Sequence, residues 1–234
     1  MAITITQHTS GFPESSASDT VVSCTGVAAG GYLVVLTANQ SDTRTYTVAS
    51  DLDGAFTAVV GVPPDSLTTR YLRAYVLRIS TAGTHSVTIH QLLTHNAYRY
   101  AVFEVTECAV GYTFSSLSVT DSAGPYYCAV EGGLSVPAGG AVIAGGTSNA
   151  SRHPWDTTDA NYAVSNGASP QYCAHFTQVF ASASAAERCA YTTSSPIATD
   201  DHGGLMVVFS PVGGAPVATF ATNIGELQVG GSTF

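Results

Sequence analysis

Apolar and polar residues alternate in short runs along most of the chain. Clusters of Gly, Pro, Asp and Ser break the runs about every eight to twelve residues, the spacing of an antiparallel β-sandwich or barrel. Three runs are unbroken instead of alternating. They are Tyr32-Leu33-Val34-Val35-Leu36 after Gly30-Gly31, Ala141-Val142-Ile143-Ala144 after Gly139-Gly140, and Leu205-Met206-Val207-Val208-Phe209 after Gly203-Gly204. Each reads as a buried strand entered by a tight glycine turn. Around them, alternation predicts strands at residues 2–8, 20–24, 44–48, 55–60, 71–79, 86–90, 100–105, 117–119, 171–180 and 189–193. In residues 71–79, Tyr71, Arg73, Tyr75 and Leu77 share one face, and Leu72, Ala74, Val76 and Arg78 the other. Ser50-Asp51-Leu52-Asp53-Gly54, Pro63-Pro64-Asp65 and Ala82-Gly83-Thr84 are turns.

No stretch shows the capped, apolar i, i+3, i+4 pattern of a helix. Residues 180–189 have helical propensity and read equally well as a hairpin tip. Residues 149–170 are the longest irregular stretch, unusual in length for a loop without a task, and they contain the one tryptophan, Trp155. The pattern predicts an all-β fold: an antiparallel two-layer β-sandwich, jelly-roll-like, over residues 1–212, open to division into two pseudo-repeats at 20–108 and 109–212. After Gly213-Gly214-Ala215-Pro216, a hinge by composition, residues 213–234 read as an extended arm or last strand. Val217, Phe220, Leu227 and Phe234 are its candidate assembly residues.

Composition narrows the function. Of 234 residues, 45% are hydrophobic, enough for a core, but only 10% are charged, against a usual share of about 25%. The basic residues are seven arginines with no lysine, and the net charge is −9. A nucleic acid needs a basic stripe to replace its counterions, and an anionic membrane surface repels such a chain, so neither is an expected partner. The five cysteines, Cys24, Cys108, Cys128, Cys173 and Cys189, form no CxxC and no Cys/His cluster of zinc-finger spacing. Most read as reduced, buried small hydrophobes, with a Cys173–Cys189 bridge left open. The N-terminal stretch has neither a basic n-region nor an apolar h-region, so synthesis in the cytosol is the expectation.

Catalytic and metal signals are weak. Asp51-x-Asp53-Gly54 resembles the start of a calcium loop, but position 62, where a Glu would close it, is Val, so a hairpin turn explains it better. His153, Asp156, Asp159 and Asn161, with Asp200-Asp201-His202, are ordinary loop residues, and no metal or cofactor is expected. There is no Gly-x-Ser-x-Gly, Walker loop or dinucleotide fingerprint. His85 and His90 lie on opposite faces of one strand. Of the carboxylates available for glycoside hydrolysis, Glu104, Glu107, Glu131 and Glu187, Glu104 should point to solvent if Phe103 and Val105 point inward. Tyr126-Tyr127, Trp155, Tyr162 and Tyr172 are the candidates for an aromatic sugar platform.

The order Gly-Gly-Tyr-Leu-Val-Val, Ser-Asp-Leu-Asp-Gly with Phe56, Tyr71…Tyr75-Val76-Leu77, Ala-Gly-Thr-His-Ser-Val-Thr-Ile, Ala-Val-Phe-Glu-Val and Val-Pro-Ala-Gly-Gly-Ala-Val-Ile-Ala-Gly-Gly-Thr resembles jelly-roll-like β-sandwich proteins of tailed-phage virions and related bacterial surface proteins. The resemblance spans roughly residues 30–211. It rests on structural glycines and core positions, and Ala55 departs from the Asn usual there. It implies no catalytic residues. It implies a non-enzymatic virion protein, a capsid decoration or a head or tail fibre component, that forms a homo-oligomer, a trimer by preference, with other virion proteins. The alternative expectation is a carbohydrate-binding module or adhesin that holds a host-surface glycan through Trp155, Tyr162 and Tyr172. A hydrolase is the third.

Overall fold

A computed structural model describes residues 2–11, 19–39, 46–59, 71–91, 98–120, 126–129, 132–148, 155–157, 163–165, 173–193 and 201–213. They form β1 (Thr4–Gly11), β2 (Asp19–Val27), β3 (Tyr32–Asn39), β4 (Tyr46–Ser50), β5 (Gly54–Ala55), β6 (Thr57–Val59), β7 (Tyr71–Arg78), β8 (Gly83–Gln91) and β9 (Tyr98–Thr106). The second half contributes β10 (Cys108–Thr120), β11 (Tyr126–Tyr127), β12 (Leu134–Val136), β13 (Ala141–Ser148), β14 (Trp155–Thr157), β15 (Ala163–Ser165), β16 (Cys173–Val179), β17 (Ser184–Glu187), β18 (Ala190–Thr193) and β19 (Asp201–Pro211).

Every pairing is antiparallel. The first half makes a sheet of order β1-β9-β3-β7-β6 and an outer sheet of order β2-β8-β4-β5. The second makes β10-β19-β13-β16-β15, covered by β11-β18-β14 and β12-β17. The strand order is the same in both halves. The first strand pairs with the last, and the last with the strand that follows a glycine pair, which is jelly-roll topology. Matching hydrogen bonds mark the correspondence. Gly30 N–H donates to Ile79 O (2.8 Å) and Ile79 N–H to Gly31 O (2.9 Å); likewise Gly139 N–H donates to Phe180 O (2.7 Å) and Phe180 N–H to Gly140 O (2.8 Å). Gly30 and Gly139 both have left-handed backbone, φ 87° and 73°, which glycine adopts without a Cβ penalty.

The antiparallel β-sandwich read from the sequence is the architecture found, and it is doubled. One core lies between the first half's two sheets, with Val22, Val48, Val87 and Ile89 facing Leu33, Val35, Leu77 and Val102. A second lies between the second half's central sheet and its cover, with Val142, Phe176, Met206 and Val208 facing Cys128, Val136 and Tyr191. The third core joins the halves. Val34, Leu36, Leu72, Val76, Phe103 and Val105 of one central sheet pack on Ile143, Leu205, Val207 and Phe209 of the other. Corresponding strands supply corresponding faces, Val34 of β3 answering Ile143 of β13. The central sheets are therefore buried on both faces, which the unbroken apolar runs require. Outer strands alternate instead, as β4 does in its buried–exposed–buried–exposed–buried pattern.

A single residue, Glu107, connects β9 to β10, and it is one of two non-glycine residues with positive φ (58°) among those described. Beside it Tyr32 ties the halves together: its hydroxyl accepts from Gly111 N–H (2.7 Å), and its ring meets Phe209 at 5.3 Å.

Several expectations are corrected. The short strand at 117–119 is the end of a 13-residue strand, β10, because β19 runs alongside its whole length. The stretch 149–170 contains β14, held by β18, and β15, held by β16. Residues 180–189 contain a strand, β17, paired with β12, and there is no helix among the described residues. Cys24, Cys108 and Cys128 are buried free thiols as expected. The Cys173 side chain, and with it the question of a bridge to Cys189, lies outside the described part, as does the arm after Gly213 with Val217, Phe220, Leu227 and Phe234.

Candidate functional site

The polar side chains that resemble chemistry in the sequence fall into separate clusters. The first is the 50–54 turn. Asp53 accepts from Ser80 N–H (3.0 Å), Ser80 Oγ–H (2.5 Å) and Thr81 N–H (3.2 Å), and Asp51 accepts from Ser86 N–H (2.8 Å). Desolvation raises the Asp53 pKa, but the hydrogen bonds from Ser80 and Thr81 together outweigh it and lower the value to about 2. Both carboxylates of the calcium-like motif are thus engaged, Asp53 with the β7–β8 connection and Asp51 with β8 itself. Among the described residues no group of three or more His, Cys, Asp or Glu is placed to hold a metal ion.

The same turn contains a Ser–His contact. Ser50 Oγ is 2.7 Å from His85 Nδ1, and His85 Nε2 is 2.8 Å from Thr81 O. A carbonyl only accepts, so Nε2 carries the proton and Nδ1 accepts from the Ser50 hydroxyl. A base thus touches a hydroxyl, as nucleophilic catalysis requires. Yet Ser50 is 5% exposed and His85 fully buried, and Ser50 Oγ also accepts Leu52 N–H at 3.3 Å. The arrangement braces a turn and reaches no solvent-borne substrate. His90 lies on the opposite strand face, in contact with Asp19 across the β2–β8 pair.

The second cluster overturns the outward reading of Glu104, which is 5% exposed. Its face of β9 is turned to the outer sheet, so both faces of the strand are covered. Glu104 Oε1 accepts from Ala28 N–H (2.8 Å), and Oε2 lies 3.0 Å from His8 Nε2. The β1–β9 register shifts between Gln7 and Thr9, and this bulge inserts His8 as the extra residue that meets Glu104. Burial, and then the charge of Glu104, raise the nearby Cys24 pKa to about 11, so that thiol is not a nucleophile at neutral pH.

The third cluster was not singled out in the sequence. His175 is 3% exposed between the two central sheets. Its alternation opposite Ala174 and Phe176 would send it to solvent in a two-layer sandwich. Only the second buried face of that sheet brings it inside.

The aromatic candidates divide. Tyr126-Tyr127 on β11 and Trp155 on β14 come together as the two flanks of β18, with Tyr126 opposite Tyr191 and Trp155 opposite Thr193. The Arg188 guanidinium lies 3.8 Å from the Tyr127 ring centroid, and its Nε–H donates to Ala129 O (3.3 Å). Tyr191 is buried beneath, stacked on Phe176, and donates to Gly203 O (2.9 Å). Tyr162 and Tyr172 lie outside the described residues, as do His153, Asp159, Asn161 and Asp200. Compared with protein-family models, curated proteins and solved structures, the chain has no significant match.

Proposed function

We propose that this chain is a non-enzymatic structural protein that works through assembly with copies of itself and with other proteins, in the virion setting that the sequence resemblance implies. The observation that carries this reading is how the chain uses its reactive side chains. Among the described residues, Ser50, His85, Asp51, Asp53, His8 and Glu104 are each engaged in bonds that join neighbouring segments of a four-layer body. Polar side chains spent on bracing the fold suit a part that fills a lattice. The test is mass by light scattering, full length beside a chain ending at Val212. The full-length protein is expected to be an oligomer, trimer favoured, and the shortened chain a folded monomer. Oligomers of equal size in both would remove the arm from the account, and a monomer in both would count against self-assembly.

One observation favours a second reading, a glycan-binding surface. The strand pairing places Tyr126-Tyr127 and Trp155 in one three-stranded sheet, with a cation stacked on Tyr127. Ring faces of this kind stack on apolar sugar faces. On a glycan array, a signal lost in both Tyr127→Ala and Trp155→Ala, with the melting temperature kept, would establish it. A blank array for the wild type would set it aside.

A further inference from the structure

Among the described residues, the interface between the two jelly rolls contains a buried imidazole without a hydrogen-bond partner, that of His175; neither ring nitrogen has one. The ring stands edge-on to Phe103 across the interface, centroids 6.1 Å apart and planes at 72°. The segments around β16 offer it mostly apolar positions: Ile5 from β1 and Ile3 just before it, Ile143 and Gly145 from β13, Ala101 and Phe103 from β9. Thr147 is the buried hydroxyl on the same face of β13, and Ser165 of β15 is paired with His175 in register. Among the described side chains, the one charged group on these facing positions is Arg99 of β9, itself 6% exposed. The other titratable pair near this sheet, His8 and Glu104, belongs to the face turned to the outer sheet.

We infer that His175 is an acid-release latch: protonation of its ring, buried between the two central sheets, drives them apart about the Glu107 connection. Neutral, the ring is a tolerated aromatic filler against Phe103. Protonated, it is a cation in a buried site, and an opened interface relieves that burden by hydrating the ring. Desolvation first, and Arg99 second, hold the His175 pKa down to about 4 in the closed form. In the open form the ring is hydrated and returns towards its usual value of about 6.5. Because the closed-state pKa is depressed, the contribution of the neutral ring is fully present above about pH 6.5 and is lost as pH falls towards 4. The open population should rise by up to about tenfold per pH unit in that window, the limit for one proton. The latch belongs to the chain itself and operates whatever the two jelly rolls assemble with.

The chain's thiols permit a direct test. Cys24 lies in the first half's core and Cys128 in the second half's, while Ala101 lies in the interface beside Arg99 and Phe103. In an Ala101→Cys protein, labelling by an aromatic disulfide that reacts in acid is followed by peptide mapping from pH 7 to 4.5. The expected result is that Cys at position 101 labels faster as pH falls, that Cys24 and Cys128 do not, and that adding His175→Phe abolishes the acceleration. Acceleration of all three thiols together, no acceleration at position 101, or acceleration that survives His175→Phe would overturn the latch. Should either variant fail to fold, the imidazole C–H resonances of the wild-type protein decide. A His175 ring that stays neutral in the closed fold at pH 5 supports the latch, and one that titrates near 6.5 with the interface intact refutes it.

Discussion

Gly204→Ala is expected to lower folding stability by about 3 kcal/mol or more, among the largest effects of any single methyl in this chain. A Cβ at this position would stand 2.3 Å from Tyr127 O and 2.4 Å from Cys128 Cα. Those atoms are backbone, so no rotamer change relieves the contact. Packed sheets are normally separated by about 10 Å, filled with side chains. Here β11 lies directly on β19, and glycine is what permits it. Gly146, paired with Gly204 in register, serves the ring of Tyr191 in the same way, with a Cβ falling 2.9 Å from that ring. Urea denaturation followed by circular dichroism would measure the loss. Gly54→Ala separates crowding from backbone strain. Gly54 has φ of 81° with nothing within 4 Å of an added Cβ, so it should cost only about 1 kcal/mol. Equal losses at the two positions would contradict the close-approach account.

Glu104→Val is expected to cost about 3 kcal/mol, although valine is the better strand residue and Val208 occupies the corresponding place on β19. The change leaves the Ala28 N–H, at a part-buried contact, without its acceptor and the half-buried His8 without its partner. Glu104→Gln keeps an oxygen for Ala28 and should cost about 1 kcal/mol. If the bulge at His8 exists to meet this carboxylate, His8→Ala and Glu104→Val will be non-additive in a double-mutant cycle, with a coupling of about 1 kcal/mol. Additive losses would mean that the two side chains act independently, and an equally stable Glu104→Val would mean that the carboxylate is not buried as described.

The two residues that the local pattern misplaces, Glu104 and His175, share one cause. Each alternates away from apolar neighbours, Phe103 and Val105 in one case and Ala174 and Phe176 in the other. In a sandwich with one core, that phase means solvent. A signal against it was present in the sequence. Unbroken runs such as Leu33-Val34-Val35-Leu36 and Leu205-Met206-Val207-Val208-Phe209 have no polar face to offer water, so strands of this kind need cover on both sides and the stack must exceed two layers. Trp155 shows a different limit. Its strand is three residues long, and it forms because β18 supplies a ladder partner from more than thirty positions along the chain. Local propensity cannot register such a partner.

The sequence by itself determined the all-β class, the antiparallel pairing, the places of most long strands and the glycine turns that open β3 and β13. These follow from short-range physics: side chains alternate with period two along a strand, and a left-handed turn needs glycine. Only the tertiary structure decided that two jelly rolls meet through corresponding faces, that Glu104 is inside under the outer sheet of its own half and His175 under the other half, and that the Ser50–His85 contact is sealed in a turn. Burial is a property of a strand's two neighbouring layers, and the layer covering the far side comes from about a hundred residues away. Alternation fixes which side chains share a face. It takes the second sandwich, stacked on the first, to determine whether that face meets water.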